Sequence, residues 1–271
     1  MKFQGAVAVV TGAASGLGRA CVDMLMTEGC SVAAIDLSMA DAGAWSGAAR
    51  LLRLTGDVSI AGDMERAFAT VQRELGTPGI LINCAGVLGP ARVFRIDKTT
   101  GRAAPRPMEL FRRVIDINLV GTFNTIRLFA KGLAQAGKVH DDEDRGVIIN
   151  TASVAAYEAL SAQTAYGASK AGVASMTLPL ARELARYGIR VMALAPGTFE
   201  TGMYGVVPDH TRRTLIADVP FPPRPGRPAE FAHMAKALIE NPMMNGSVVR
   251  IDGAVRMREP QSSSATPVLT H

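Results

Sequence analysis

Seven short runs rich in Val, Ile, Leu and Ala recur along the chain, at 6–11, 31–36, 50–54, 80–83, 146–150, 189–195 and 247–251. The runs are apolar throughout rather than alternating, so each strand they form must be buried on both faces, as in a parallel sheet. Between them lie segments of helical period at 16–28, 62–75, 108–136, 163–187 and 228–240. Strands alternating with helices predict an α/β fold: a doubly wound Rossmann arrangement of about seven parallel strands with helices on both faces. No linker divides the chain, so residues 1–258 are expected to form one domain. The Ser- and Pro-containing end, 259–271, is expected to be a flexible tail.

Three segments interrupt the rhythm. Residues 92–107 combine prolines with Arg92, Arg95, Lys98, Arg102 and Arg106, and 197–228 are proline-rich; both follow strands and belong at the carboxyl edge of the sheet, where ligands bind. The acidic run Asp141-Asp142-Glu143-Asp144 follows a helix and is expected to be a solvated turn at the opposite edge. In the segment after residue 197, Phe199, Thr201, Met203 and Tyr204 are expected to close over a bound ligand.

Composition narrows the partners. The net charge of +5 is spread along the chain, which predicts a mildly basic surface and no nucleic-acid site. Cys21, Cys30 and Cys84 make an odd set without a C-x-x-C pair, so neither a disulfide scaffold nor a metal site is expected. No run of 18 apolar residues or targeting leader is visible, and the expectation is a cytoplasmic protein without a membrane segment.

The first run ends in Thr11-Gly12-Ala13-Ala14-Ser15-Gly16-Leu17-Gly18 and passes directly into a helix. Glycines there allow the tight turn and let backbone N–H groups approach a pyrophosphate at the positive end of the helix. Asp36, 18 residues beyond Gly18 at the end of the second run, can accept from both adenosine ribose hydroxyls and repels a 2′-phosphate, which selects NAD. Asp57 and Val58, and the Asn83-Cys84-Ala85-Gly86 turn, suit the wall of the adenine pocket. Cys84 is expected to be a small packing residue.

The strongest chemical signal is Tyr166-Gly167-Ala168-Ser169-Lys170 within the helical segment 163–187. A spacing of four puts the phenol and the ammonium on one face. A cation about 4 Å from a phenolate, at an effective dielectric near 20, stabilises it by about 4 kcal/mol. That would bring a phenol from about 10 to near 7, where an acid–base catalyst is useful. Ser153, at the end of the fifth run, can hold the substrate oxygen while Tyr166 moves the proton.

Together, Thr11-Gly12-x3-Gly16-x-Gly18, Asn83-x-Ala85-Gly86, Asn118, Ser153, Tyr166-x3-Lys170 and Pro196-Gly197 resemble the short-chain dehydrogenase/reductase family over residues 6 to about 256. The resemblance implies a catalytic set of Asn118, Ser153, Tyr166 and Lys170, with Asn118 holding a water in a proton relay from Lys170. It implies an NAD site that also takes in Tyr166, Lys170, Pro196, Gly197, Phe199 and Thr201. The family turn usually reads Asn-Asn-Ala-Gly, and this chain has Cys84 in its second slot. Further strings, including RGVIINTASVAA at 145–156, MTLPLA at 176–181 and VPFP at 219–222, resemble the branch that oxidises short or branched 3-hydroxyacyl-CoA thioesters with NAD as a homotetramer. In this branch Gln163 would contact substrate with Ser153 and Tyr166, and Leu160 replaces a frequent Gln. The arginines of 92–107 then have two readings, a solvated loop or a contact for CoA phosphates. A steroid, another secondary alcohol or an acyl carrier protein thioester are the alternative substrates. A sensor or RNA-contacting protein on the same fold would have no need of the proton-transfer residues.

Overall fold

The computed structural model describes residues 1–258 apart from 41, 44, 46–49, 91, 137–143, 206–211, 213 and 214. The seven apolar runs become β1 (Val7–Thr11), β2 (Ser31–Asp36), β3 (Leu51–Thr55), β4 (Ile80–Asn83), β7 (Gly146–Thr151), β8 (Ile189–Pro196) and β9 (Val248–Ile251). They form one sheet in the order β3-β2-β1-β4-β7-β8-β9, and every ladder in it is parallel. The strand order reverses between β1 and β4. A crevice opens at the carboxyl ends of strands on either side of such a switch point.

Successive side chains of a strand point to opposite faces, so two cores form. Ala8, Val10, Met192 and Leu194 pack with α1 (Gly16–Thr27) and α8 (Pro228–Glu240) on one face. Val9, Ile148, Ile189 and Val191 pack on the other with α2 (Ala61–Glu74), α4 (Gly121–Gln135) and α6 (Thr164–Leu184). Helix α1 shows why the pattern works: its buried residues Gly18, Cys21, Val22, Leu25 and Met26 fall on one stripe. The helix near the C-terminus, α8, lays its own stripe, with Phe231, Ala235 and Ile239, into the same core.

Departures from the sequence reading have local causes. The segment expected to be one helix over 108–136 is α3 (Met108–Ile115), a π-helical stretch Asp116–Val120, and α4. Residues 92–107 hold a two-stranded antiparallel hairpin, β5 (Phe94–Ile96) and β6 (Ala103–Pro105), outside the main sheet. Short helices α5 (Ala155–Glu158) and α7 (Gly202–Gly205) follow β7 and β8.

Asp144 is not a solvated turn residue. It accepts from the N-terminal amine at 2.8 Å and from Arg190, whose guanidinium also donates to the carbonyls of Leu238, Ile239, Asn241 and Met244 at the end of α8. Burial raises the Asp144 pKa, but Arg190 and the terminal amine outweigh it and hold the group below the ordinary carboxylate value. Residues 141–143 of the acidic run and the tail 259–271 lie outside the described residues.

Candidate active site

The Gly-rich turn is built by close approach of backbones. Gly12 has φ +64, and a Cβ there would lie 2.7 Å from the Ala85 nitrogen; on Gly18 it would run into the Gly12 carbonyl oxygen. The turn after β1 is thereby locked to the turn after β4, with Ala85 N–H donating to Thr11 Oγ1 at 3.3 Å. The first N–H groups of α1, unpaired by helix geometry, open into the space that remains.

That space is a single cleft of about 430 Å³. Its wall carries Gly12, Ser15, Gly16, Leu17, Gly18, Asp36, Asp57, Val58, Cys84, Ala85, Gly86, Ser153, Gln163, Tyr166, Lys170, Pro196, Gly197, Phe199 and Thr201. The sequence-derived residues of both the dinucleotide and the proton-transfer sets thus meet in one cavity.

Asp36 is anchored by the turn it faces, one carboxylate oxygen accepting from Ala14 N–H at 2.9 Å. Asp57 Oδ1 accepts from the Ser59 N–H and hydroxyl at 2.8 and 2.6 Å, so that oxygen caps the start of the α2 loop. Gln163 Oε1 accepts from Leu160 N–H at 3.0 Å. Its amide is therefore partly engaged in shaping the loop that precedes α6.

Two expected site residues lie beneath the cleft and not on its wall. Asn83 donates to Asn150 Oδ1 at 3.0 Å, and its own oxygen accepts from Thr125 Oγ1 at 2.7 Å and Thr11 Oγ1 at 3.4 Å. Asn118, fully buried in the π-helical stretch, donates to Val87 O at 2.9 Å and Ser169 Oγ at 3.0 Å, and accepts from Val87 N–H at 2.8 Å. Both N–H donors of the Asn118 side chain are taken, so a water in the expected relay would have to donate to one of its oxygens. The side chain ties the loop after β4 to α6.

Tyr166, Lys170 and Ser153 come together as expected, but the electrostatics differ. The Lys170 ammonium donates to the Thr151 carbonyl at 2.7 Å and lies 5.9 Å from the Tyr166 ring centroid. Burial pushes the Tyr166 phenol above its ordinary value, and a hydrogen bond from Ser153 opposes this only partly. The direction is opposite to the expected drop toward 7, because desolvation of the phenol outweighs the Ser153 hydrogen bond that opposes it. Burial lowers Lys170 to about 8, with partial relief from Cys84.

Phe199, expected in the segment over the ligand, lines the cleft from a buried position. It is buried in the core, edge-to-face with Phe231 at 6.3 Å between centroids, and bridged to Gly226. Thr201 does line the cleft, while the side chains of Met203 and Tyr204 lie outside those described.

Sequence reasoning missed Thr151, Ser169, Arg113, Ile117, Leu88 and Met257. Ser169 donates to the Tyr166 carbonyl at 2.7 Å while receiving Asn118, a role its place three residues after Tyr166 could have suggested. Thr151 serves through its backbone carbonyl, which side-chain type does not encode. Arg113, Ile117, Leu88 and Met257 line the cleft from α3, the π-helical stretch, the loop after β4 and the chain beyond β9. No local motif marks them.

Comparison with known proteins agrees with this geometry. The family model described as short chain dehydrogenase matches residues 6–211. The chain is 44% identical over 257 residues to 3-hydroxyacyl-CoA dehydrogenase type-2 of Drosophila melanogaster, covering 94% of this chain and 99% of that protein. It is 44% identical over 259 residues to the Homo sapiens protein of the same name, covering 95% and 97%. The solved structure of 3-hydroxyacyl-CoA dehydrogenase type-2 from Mycobacterium avium superposes with a TM-score of 0.82 at 35% identity, covering 95% of this chain and 99% of that one.

Proposed function

The chain belongs to the short-chain dehydrogenase family, a family of oxidoreductases, and on that premise we propose that it transfers hydride between NAD and short or branched 3-hydroxyacyl-CoA or 3-ketoacyl-CoA thioesters. The observation that carries the reading is that Asp36 and the Ser153, Tyr166 and Lys170 set open into one cleft. The acyl-CoA class comes from the relatives' names, at 44% identity over nearly the whole chain.

The residues present fit a dinucleotide. The glycine cradle leaves room that a Cβ would fill, and the Asp36 carboxylate lines the same cleft, where it would accept from ribose hydroxyls and disfavour a 2′-phosphate. When bound, NAD supplies the hydride acceptor, or as NADH the donor. Ser153 holds the substrate oxygen by its hydroxyl, itself kept in place by Ala155 N–H at 3.1 Å. In the reducing direction Tyr166 gives its phenolic proton to that oxygen, and its raised pKa keeps it a proton carrier at neutral pH. In the oxidising direction it takes the proton back, aided by the Lys170 charge that Thr151 holds beside it. Asn118 and Ser169 fix the loop after β4 and the Tyr166 backbone relative to each other.

A homotetramer and a cytoplasmic site of action belong to the same reading. Leu110, Phe111, Val120 and Phe123 of the α3–α4 region and Leu178 of α6 are exposed, which supports association through these helices. Among the described residues, no helix is long and apolar enough to cross a membrane.

The deciding experiment is steady-state turnover of acetoacetyl-CoA, 2-methylacetoacetyl-CoA and a ketosteroid with NADH and with NADPH. Reduction of the thioesters with NADH, lost in Tyr166→Phe, is the expected result. Turnover of the ketosteroid alone would move the assignment to another alcohol class. No turnover of either thioester with either cofactor would overturn it.

A further inference from the structure

Met257, on the chain beyond β9, lines the cleft, and the hydride-transfer reading gives it no task. It is half-buried against a small apolar cluster of Val154, Val219 and Val255, apart from the two main cores. Val154 directly follows Ser153, the residue read above as holding the substrate oxygen, and it also lines the cleft, as does Leu215. Met257, Val154 and Leu215 are a thioether and two branched aliphatic chains. They offer a ligand carbon to pack against and no hydrogen bond of consequence.

Residues 252–258 form neither helix nor strand, so tertiary contacts must place Met257. Arg250 of β9 donates to the Val255 carbonyl at 3.0 Å, to Asp252 Oδ2 at 2.7 Å and to Glu158 of α5. Asp252 Oδ1 accepts from Ala254 N–H at 3.1 Å and closes the turn, in which Gly253, at φ +60, passes so near Val219 that a Cβ would lie 2.7 Å from its Cγ1. Beyond Met257, Arg258 N–H donates to Asp218 Oδ2 at 3.4 Å. The chain is thus fastened two residues before Met257 and one residue after it. Glu158 ends α5, which begins two residues after Ser153, so Arg250 also joins the Ser153 side of the cleft to the Met257 side.

We propose that Met257, with Val154 and Leu215, is the wall against which the acyl chain beyond the ketone stops, and that Arg250 is the positioning residue that holds this wall in place. For its substrate class the wall rests on the ketoacyl-CoA reading above. With the ketone oxygen on Ser153, the carbon chain and the CoA arm leave the ketone in different directions. The CoA arm carries charge and needs an open path to solvent, whereas a fastened wall of carbon suits the chain. Methionine is unbranched and bends, so the limit it sets is graded. One methylene too many or too few against such a wall changes discrimination by about tenfold or more.

The test compares the parent protein with Met257→Ala, Met257→Phe and Arg250→Gln on acetoacetyl-, 3-ketohexanoyl- and 3-ketooctanoyl-CoA with NADH. The readout is the ratio of kcat/KM between chain lengths, which a general loss of folded protein leaves unmoved. The parent is expected to prefer acetoacetyl-CoA. Met257→Ala should shift the ratio about tenfold toward 3-ketohexanoyl-CoA, and Met257→Phe about as far the other way. Arg250→Gln should shift it several-fold toward the longer chain, yet add little in the Met257→Ala background, because both act on one contact. Ratios that neither Met257 variant moves, or a parent that reduces 3-ketooctanoyl-CoA as well as acetoacetyl-CoA, overturn the wall. An Arg250→Gln shift that adds in full to that of Met257→Ala overturns the positioning role. Dissociation constants for butyryl-, hexanoyl- and octanoyl-CoA, which lack the ketone, are measured by calorimetry on the same proteins. The same shift in binding without turnover of any ketoacyl thioester would keep the wall and overturn the hydride-transfer reading. Binding that does not depend on the Met257 side chain, without turnover, would overturn both.

Discussion

Lys170 and Asn83 are both buried polar side chains near the carboxyl edge of the same sheet, yet one lines the cleft and the other does not. Asn83 has Asn150, Thr125 and Thr11 as partners, all from strands or helices that pack around it. Its amide is used up in holding β1, β4, β7 and α4 together. Lys170 makes one hydrogen bond, to the Thr151 carbonyl, and keeps a charge that burial opposes. A neutral amide bonded at both its nitrogen and its oxygen stabilises the fold, whereas an ammonium held with few partners keeps free energy that chemistry can use. Burial alone therefore does not separate structural from functional polar groups; the count of satisfied bonds does.

This contrast can be broken in four ways. The largest effect is expected at the catalytic end: Tyr166→Phe should reduce kcat by roughly 10²- to 10⁴-fold, the range of general acid–base catalysis. Its thermal midpoint should hardly move, and a large loss of midpoint would place Tyr166 with the structural group. Next is Lys170, whose amine is lowered to about 8 from an ordinary 10.5. The unfolded chain keeps this proton between those values while the folded protein has lost it, so stability should rise with pH across that window, by up to about 3 kcal/mol. Urea unfolding of the parent protein and Lys170→Met across it should show the rise only in the parent.

Asn83→Ala comes third. It leaves Asn150 Oδ1 without its donor and Thr125 with only the Thr122 carbonyl, and should lower stability by about 1–3 kcal/mol. The KM for NADH should change little, and an increase of about tenfold, equivalent to about 1.4 kcal/mol, would return Asn83 to the binding residues. The smallest effect is expected at Asp36, where Asp36→Asn removes the negative charge but keeps a hydrogen-bonding group. Preference for NADH over NADPH should narrow by about tenfold, equivalent to about 1.4 kcal/mol, read as the ratio of kcat/KM values.

Much of the fold was legible because a parallel sheet buries its strands on both faces and leaves uninterrupted apolar runs. The runs at 31–36 and 80–83 became β2 and β4 with the same bounds. The break of the 108–136 helix was not legible, since a π-helical turn depends on where Asn118 finds Val87 and Ser169, not on propensity. The hairpin in 92–107 was hidden by its prolines and charges. The sequence neighbours of Phe199 point to the ligand side, and only the fold shows that its ring also packs against Phe231 of α8.

By itself the sequence determined the sheet, the glycine turn that frames the cleft, and the identities of Asp36, Ser153, Tyr166 and Lys170, because hydrophobic period and residue chemistry are local properties. Tertiary structure decided which polar groups were already satisfied. It also showed that the phenol rises where spacing alone had it fall. Desolvation depends on everything packed around a group, and that is set by residues far from it in the chain.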